Sequence, residues 1–416
     1  MTTLIPGVDG PGVKRFFDGT HRAVAPEETL ARISPLMRGM GITRVANITG
    51  LDRIGIPVAT ACRPNSRGLA VSQGKGLDLP AAKVSALMES VESYHAERIE
   101  LPLRLGSYVE LSRSHRLCDV TKLALTVRST FDPNRPLLWI EGYDLLQQEP
   151  AWVPYEIVDT NYTFPLVTGA GCFQATTNGL ASGNHVLEAV SHALCEVIER
   201  DAVAMWNAGI ESVRRTHRID LITIDSQPAI DVLRRLEQHG IDVGVWDLTT
   251  DVGVPCVLAT IVERPGFSAR PPYAVHGSGC HPTRDVALLR ALLEALQSRL
   301  TFIVGSRDDN FREDYERLFD SKTTRAVWAE IDEVQSMIDF VDLPNFQAET
   351  FQDDVRHEIG SLQQAGIEQS IVIDLTRADV GIPVVRVVVP GLEGVSTQPD
   401  YVAGGRARAS MGVGRS

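Results

Sequence analysis

Strand-like apolar runs alternate with amphipathic segments along most of the chain. Runs such as PCVLATIVE, QSIVIDLT and IPVVRVVVP are short, continuous and rich in β-branched residues, which is typical of buried strands. Other segments have apolar residues three and four apart, the period of a helix with one packed face. An early example is PEETLARISPLM. The pattern predicts an α+β fold in which mixed sheets are backed by helices.

The chain contains no linker rich in Gly, Ser or Pro, so the pattern favours one main domain with subdomains. We expect residues 1–60 to form an N-terminal segment that packs on the core. Residues 61–400 are predicted to form the main domain. The last residues, 401–416, are small, Gly-rich and basic, and they predict a flexible tail.

Three segments share one layout, in which a glycine-containing loop leads into a helix with polar residues three apart. They are VSQGKGLDLPAAKVSALMESVESY, TNGLASGNHVLEAVSHALCEVIERDA and HGSGCHPTRDVALLRALLEALQSRL. The spacing of about a hundred residues is too long for a solenoid and predicts duplicated supersecondary units around a shared site. The polar pairs are Glu89 with Glu92, Glu196 with Glu199, and Glu294 with Gln297.

A Glu-x-x-Glu pair is usually part of a solvated helix face, but these pairs lie among small residues such as Ala82, Ser85 and Ala86. Such a face is typical of a packed or pocket-lining surface. Several carboxylates that converge in a buried site cannot all stay ionised without a cation. Mg²⁺ typically binds one or two carboxylates together with phosphate oxygens. The sequence therefore predicts a magnesium–nucleotide site built from three helices.

Other residues near these helices suggest further contacts. SQGKG combines flexible backbone with a lysine and leads into a helix N-terminus, which favours phosphate binding, although it is not a Walker A loop. Asn184 either caps the second helix or contacts the nucleotide. His192 shares the glutamate face and is either a general base or a neutral hydrogen-bonding residue.

Composition narrows the classes of partner and compartment. The net charge of −13, without a long basic cluster, argues against nucleic acid as the main partner. No stretch approaches the roughly 20 apolar residues that span a bilayer, and the first residues do not resemble a signal peptide. We therefore expect a cytoplasmic protein without a membrane segment. Reduced, mostly buried thiols are expected for the well-separated cysteines Cys62, Cys118, Cys172, Cys195, Cys256 and Cys280.

These motifs together resemble the YcaO family, over roughly residues 40–395. The resemblance lies in SQGKG before SALMESVESYHAER, in TNGLASGN before EAVSHALCEVIERDA, and in EALQSRL. It implies a YcaO-type fold and an enzyme that depends on ATP and Mg²⁺. The carboxylates that it implies for the metal site are Glu89, Glu92, Glu196 and Glu199. The implied nucleotide positions are Asn184, Glu188, Arg200 and Gln297, with Ser72 and Lys75 near the phosphates.

The family chemistry implied by the resemblance is activation of a peptide amide. A nucleophile adds to the carbonyl carbon, ATP phosphorylates the resulting oxygen, and phosphate leaves. A Cys, Ser or Thr side chain as nucleophile gives an azoline, external sulfide gives a backbone thioamide, and an amine gives an amidine. The runs EALQSRLTFIVGSRDDN and RPNSRGLAVSQGKG are similar to members that work with a TfuA partner and make thioamides. Azoline-forming members usually end in a proline-rich tail, whereas this chain ends RASMGVGRS, which argues against cyclodehydration.

The resemblance also implies a precursor peptide or protein as substrate, a homodimer and a TfuA-like partner, and we expect leader-peptide recognition to come from a partner. Two alternatives to thioamide formation remain. One is an azoline- or amidine-forming enzyme of the same family. The other is a nucleotide-binding accessory protein with degenerate glutamate sites, although a scaffold has no need to keep four buried carboxylates together.

Overall fold

The computed structural model describes residues 4–209, 216–267, 273–332 and 337–412. The helices in these ranges are α1 (Pro26–Ile33), α2 (Leu79–Ala96), α3 (Tyr108–Leu111), α4 (Val186–Ala208), α5 (Gln227–Gln238), α6 (Arg284–Val304), α7 (Arg312–Leu318), α8 (Ser321–Asp332), α9 (Phe351–Gln364) and α10 (Gly405–Ser410). The strands are β1 (Arg44–Asn47), β2 (Val58–Cys62), β3 (Val71–Lys75), β4 (Leu103–Gly106), β5 (Leu137–Asp144), β6 (Glu149–Pro154), β7 (Leu180–Ser182), β8 (Ile219–Asp220), β9 (Ile241–Asp247), β10 (Cys256–Glu263), β11 (Ala274–Cys280), β12 (Ile338–Asp339), β13 (Ile371–Asp374) and β14 (Val384–Val388).

Within the described residues the strands form three larger sheets and one short parallel pair. Strands β1, β2 and β3 form an antiparallel meander, and so do β9, β10 and β11. The six-stranded sheet has the order β4-β5-β13-β14-β7, and β6 also pairs with β5. Strands β8 and β12 pair in parallel. The predicted α+β fold with helices backing the sheets is confirmed, but the strand pairs of the three larger sheets are all antiparallel, so these sheets are not mixed.

The two three-stranded sheets are repeated units. Each is followed by a long helix that packs back on it, α2 on β2 and β3, and α6 on β10 and β11. A Cβ atom added to Gly74 of β3 would lie 2.0 Å from the Ala86 nitrogen and 2.3 Å from the Ala82 oxygen. A Cβ atom on Gly277 of β11 would lie 2.2 Å from the Ala295 nitrogen. The same close glycine–helix contact in both units supports the predicted duplication.

The glycine segments that precede the three helices form strands, whereas the sequence analysis predicted loops. SQGKG lies in β3, GLAS contains β7, and HGSGC lies at the end of β11. Gly74 is therefore required because a residue with a Cβ atom would block the approach of α2. Its backbone flexibility, which a loop would need, is not the reason for the glycine. The small residues Ala82 and Ala86, which suggested a packed or pocket-lining face, are fully buried and contact this strand.

Helix α4 joins the units. It packs on β7 and β14 of the large sheet, contacts β11 of the second meander, and is covered by α9. Helix α2 also contacts β7. The three helices with polar pairs are thereby attached to neighbouring strands, which brings their polar faces toward one region of the molecule.

The ends of the predicted main domain differ in detail from the expectation. The boundary between residues 60 and 61 falls inside β2, so the N-terminal segment supplies β1 and part of β2 to the first meander. Residues 405–410, which were predicted to be flexible, form α10, and α10 packs on α4. Its Arg406 Nε lies 2.9 Å from the Asp201 Oδ1. The prediction of a flexible tail is therefore wrong for these residues, while the division into 1–60 and 61–400 stays a prediction.

All six cysteine thiols are free; five of them are buried and Cys62 is partly exposed, which agrees with the prediction of mostly buried thiols. Within the described ranges, no helix is both long enough and apolar enough to cross a membrane.

The close contact of Gly74 with α2 predicts the effect of a single methyl group. Gly74→Ala should lower the free energy of unfolding by about 1–3 kcal/mol, because the strand and the helix must move apart. The measurement is chemical or thermal unfolding. Gly360→Ala in α9 is the matched control, because the space around its Cβ is open and alanine is the better helix former. A Gly74→Ala variant as stable as the wild type would contradict this reading of the contact.

Candidate functional site

A cleft of about 690 Å³ is lined by α2, α4 and α6 together with parts of the N-terminal segment. The structure brings every residue that the sequence analysis assigned to the site into this cleft. Their roles in metal or nucleotide binding stay predictions. The residues are Ser72, Lys75, Glu89, Glu92, Asn184, Glu188, His192, Glu196, Glu199, Arg200 and Gln297.

Strand backbones hold the carboxylates of α2 in place. Glu89 Oε2 accepts a hydrogen bond from the Gln73 backbone nitrogen at 3.2 Å. Glu92 Oε1 accepts from both the backbone nitrogen of Ser182, at 2.9 Å, and its hydroxyl, at 2.7 Å. Because Gln73 belongs to the first meander and Ser182 to the large sheet, α2 connects both sheets at the cleft.

The carboxylates of α4 are anchored in the same manner. Glu196 Oε2 accepts from the Gly179 backbone nitrogen at 3.3 Å. Glu199 accepts from the Cys280 backbone nitrogen at 3.1 Å and from the Ser278 hydroxyl at 2.7 Å. Backbone donors favour the ionised form of a carboxylate, so each glutamate is fixed in position while part of its oxygen surface stays available.

Burial and the repulsion between neighbouring carboxylates act on the pKa in the direction opposite to these hydrogen bonds. Burial, together with the nearby charges of Glu89 and Glu196, raises the pKa of Glu92 to about 8 against the opposing hydrogen bonds from Ser182. Burial raises the pKa of Glu196 to about 7, with a contribution from Glu199. Burial also raises the pKa of Glu89. A cation in the cleft would favour the ionised forms of all of them.

The geometry of the carboxylates fits a magnesium ion that is shared with phosphates. In the part of the chain that the structure describes, no three His, Cys, Asp or Glu side chains converge on one point as a complete metal cage would require. Mg²⁺ rarely uses such a cage and takes one or two carboxylates plus phosphate oxygens and water. The pairs Glu89–Glu92 and Glu196–Glu199 could each contribute ligands in this way.

A second group of residues surrounds Glu188 near the start of α4. Glu188 is only 2% exposed. Its Oε2 accepts from the backbone nitrogens of Asn184 and Ala23, both at 3.2 Å. Arg22 Nη1 lies 3.6 Å from Oε1. Burial raises the pKa of Glu188, and Arg22 opposes that shift. This group ties the N-terminal segment to α4 at the wall of the cleft.

Asn184 does not cap α4. The cap is His185, whose Nδ1 accepts from the Leu187 backbone nitrogen at 3.1 Å. Asn184 Nδ2 donates to the Thr29 hydroxyl at 2.9 Å and lines the cleft. The cap alternative is therefore wrong, and a contact with the ligand of the cleft remains the prediction for Asn184.

His192 is a neutral hydrogen-bonding residue in this structure. Its Nε2 lies 2.6 Å from Arg290 Nη2, which can only donate. Burial, reinforced by the charge of Arg290, lowers the pKa of His192 well below its ordinary value. The lone pair that a general base would use is occupied, so the geometry favours the second alternative and makes His192 a support for Arg290.

The cations of the cleft are paired with acidic groups. Lys75 Nζ lies 2.7 Å from Glu294 Oε2. Burial acts to raise the pKa of Glu294, but Lys75 and Arg200 outweigh it and lower that pKa. Arg200 Nη2 lies 3.9 Å from Glu196 Oε1. The Ser72 hydroxyl accepts from the Ser90 hydroxyl at 3.0 Å, and Gln297 also lines the cleft.

The sequence analysis missed several residues of the cleft. Arg22, Arg290 and Arg307 all line it. Arg290 lies one turn before Glu294 of the third polar pair on α6, so helical spacing could have found it. Arg307 follows the end of α6, where no periodicity marks it. Lys14, in the N-terminal segment, is buried and lies 2.6 Å from an Asp354 oxygen.

Neutralising a metal carboxylate should remove nucleotide binding while the fold persists. We expect Glu196→Gln, and likewise Glu89→Gln, to weaken Mg²⁺-dependent ATP binding more than about tenfold. The glutamine keeps the shape and removes like-charge repulsion, so thermal stability should not fall. Calorimetric titration checks the affinity, and Glu237→Gln on the exposed side of α5 is the control. Wild-type affinity in both cleft variants would remove the metal-site assignment.

The raised carboxylate pKa values predict a pH dependence with a definite sign. Between the ordinary value of 4.5 and the folded value of about 8 for Glu92, the folded chain keeps a proton that the unfolded chain has lost. The free energy of unfolding without Mg²⁺ should therefore fall as pH rises through this interval. Binding of Mg–ATP needs the ionised forms, so its affinity should rise over the same interval and protons should be released.

Calorimetry in buffers of different ionisation enthalpy measures the released protons, and unfolding at several pH values measures the stability. Glu92→Gln should reduce both dependences, whereas Glu237→Gln should not. Binding without proton release near neutral pH would contradict the prediction.

Comparison with known sequences identifies relatives over nearly the whole chain. Residues 73–393 match the family described as YcaO cyclodehydratase, ATP- and Mg²⁺-binding. An uncharacterized protein in the tfuA 3′ region of Rhizobium leguminosarum bv. trifolii is 38% identical over 390 residues, 92% of this chain and 90% of its own. An uncharacterized protein of Methanothermobacter thermautotrophicus is 36% identical over 408 residues, which cover 94% of this chain and 99% of that protein.

Solved structures with the same fold include two with ligands. YcaO from Methanopyrus kandleri bound with AMPPCP and Mg²⁺ matches with a TM-score of 0.72 and 26% identity, over 92% of this chain and 95% of that chain. A heterocyclase in complex with substrate and cofactor matches with a TM-score of 0.75 and 24% identity, over 92% of this chain and 55% of that chain. The chain belongs to the YcaO family of ATP- and Mg²⁺-dependent enzymes that modify peptide backbones.

Proposed function

We propose that this enzyme installs a thioamide in the backbone of a ribosomal peptide or protein, with an external sulfur donor and a TfuA-like partner protein. The observation that carries the proposal is the 38% identity, over 92% of the chain, to a protein named for its place beside tfuA. Proteins encoded side by side often act on one substrate.

The structure brings together the two runs that resemble thioamide-forming members. The Ala70 backbone nitrogen, in RPNSRGLAV, donates to Asp308 Oδ2, in SRDDN, at 3.0 Å. Gly68 and Leu69 from the first run and Arg307 from the second line the same end of the cleft. Features specific to this subgroup therefore lie where a substrate of the cleft would be held, which supports the proposal.

The reaction exchanges the amide oxygen for sulfur without a change in oxidation state. Sulfide adds to the carbonyl carbon, and the oxygen departs as phosphate when the carbon–sulfur double bond forms. Bound ATP would supply the phosphoryl group that makes this oxygen a leaving group. The products are the thioamide, ADP and phosphate, so no oxidant or reductant is required.

The residues of the cleft are suited to this task. Glu89, Glu92, Glu196 and Glu199 would hold Mg²⁺ against the phosphates, as the backbone donors that fix all four carboxylates indicate. Lys75, Arg22 and Arg290 would place positive charge around the phosphates, as phosphoryl transfer requires. His192 would orient Arg290 through its hydrogen bond.

Azoline formation is the second candidate, because the family description names a cyclodehydratase. In that reaction the nucleophile is a Cys, Ser or Thr side chain of the substrate itself. No added sulfide would be needed, and the product would lose one water. A precursor peptide as substrate is common to both candidates, and a homodimer is proposed on the family resemblance.

A mass-spectrometric assay distinguishes the two candidates. The enzyme, its TfuA-like partner, ATP and Mg²⁺ are incubated with the small-peptide fraction of the source cells, with and without isotopically labelled sulfide. We expect a peptide in which one backbone oxygen is replaced by labelled sulfur, only when sulfide and ATP are both present. Glu196→Gln is the inactive control. A sulfide-independent loss of one water would overturn the thioamide proposal and favour the azoline.

A further inference from the structure

One end of the cleft carries polar atoms without a partner. Among the described residues that line the cleft, Gln73, Thr160 and Asn310 have a buried polar side-chain atom with no hydrogen bond: Nε2, Oγ1 and Nδ2 respectively. Gln73 is 2% exposed and Thr160 is 4% exposed. Buried polar groups in native proteins are almost always paired, so three such atoms in one cleft indicate a missing ligand.

The three residues surround the C-terminal half of α2. The Gln73 backbone nitrogen donates to Glu89, and the Thr160 backbone nitrogen donates to the Ala96 oxygen at 3.2 Å. Asn310 lies three residues after Arg307, whose charge lowers the pKa of Glu89 against the effect of burial. This end of the cleft is therefore next to the carboxylates and away from the group around Glu188.

The chemistry of the unpaired atoms selects the class of ligand. Two of them are neutral amide N–H donors, and the third is a hydroxyl that can donate or accept. The other end of the Gln73 amide is fixed, because its Oε1 accepts from the Thr301 hydroxyl. Neutral donors that are spaced along a groove match the carbonyl and N–H groups of a peptide backbone, which repeat along the chain whatever the side chains are.

Exposed apolar side chains follow a residue of the cleft in the chain. Tyr162 lines the cleft and is 41% exposed. Shortly after it in the sequence, Phe164 is 87% exposed and Leu166 is 49% exposed.

We infer that Gln73, Thr160 and Asn310 hold the acceptor peptide by its backbone, with the target carbonyl directed toward Glu89 and the metal side of the cleft. The inference rests on the proposed function, because it supplies the subsite for the peptide that is modified there. Recognition of the backbone leaves the choice of sequence to other contacts, such as those of a partner protein.

A probe without side chains tests this subsite. N-acetyl-hexaglycine amide is titrated into the protein with Mg²⁺ and AMPPCP, and binding is followed by saturation-transfer NMR. Thr160→Val keeps the shape and removes the unpaired hydroxyl. We expect it to weaken probe binding about three- to tenfold, the effect of one hydrogen bond. Its thermal stability should stay equal or rise, which a structural role of the hydroxyl would not produce.

Asn310→Leu should weaken the probe to a similar extent, and Gln398→Leu, at an exposed amide, should leave it unchanged. The affinity for Mg–AMPPCP should be the same in all variants. Absence of probe binding to the wild type, unchanged probe binding in Thr160→Val and Asn310→Leu, or a fall in Mg–AMPPCP affinity instead would each overturn the inference. The assay uses neither sulfide nor partner, so probe binding without thioamide formation would count against the proposed function alone.

Discussion

The rest of the structure depends on one constraint, which is that the carboxylates of Glu89, Glu92, Glu196 and Glu199 lie together in one cleft. Each is held by backbone or hydroxyl donors of a neighbouring strand or, for Glu196, of the turn before β7, and burial and like charge raise the pKa of Glu92 and Glu196 toward and above neutrality. Taken alone, such an arrangement destabilises the fold when the groups ionise. It persists because the strands fix the positions, and because a bound cation would convert the repulsion into attraction. The site is therefore complete only when a cation is bound to it.

Close helix–strand contact is what makes this concentration possible. Gly74 and Gly277 let α2 and α6 approach their sheets at backbone distance, and the alanines opposite them complete the contact. Glu89 and Glu294 lie on the same helices, three residues after Ala86 and directly before Ala295, respectively. Their carboxylates therefore lie close both to the strand on which the helix packs and to the cleft. A residue with a Cβ at either glycine would move the helix, and with it the carboxylates of the cleft.

The sequence predicted much of this and missed a definite part. Helical spacing of three and four identified the carboxylates, since their register on α2 and α4 is a local property of the chain. The role of SQGKG was misread, because glycine in a strand that packs on a helix looks the same in sequence as glycine in a loop. Thr160 and Asn310 lie in irregular segments without periodicity, so only tertiary structure places them at the cleft. The tail helix α10 was missed because its stability comes from contacts with α4, such as Arg406 with Asp201.

The two ends of the cleft are connected by one helix, α2. Helix α2 lines the cleft from Ala81, near its start, to Ser93, near its end, a span of about 18 Å at 1.5 Å per residue. Anionic phosphates suit the end with Lys75 and Arg22, while neutral donors suit a peptide at the other end. Glu89 and Glu92 lie between these ends, where the phosphoryl group and the amide oxygen would meet in the proposed reaction. A single helix would then fix the distance between the two reactants, which is the main contribution that a protein can make to a transfer between bound groups.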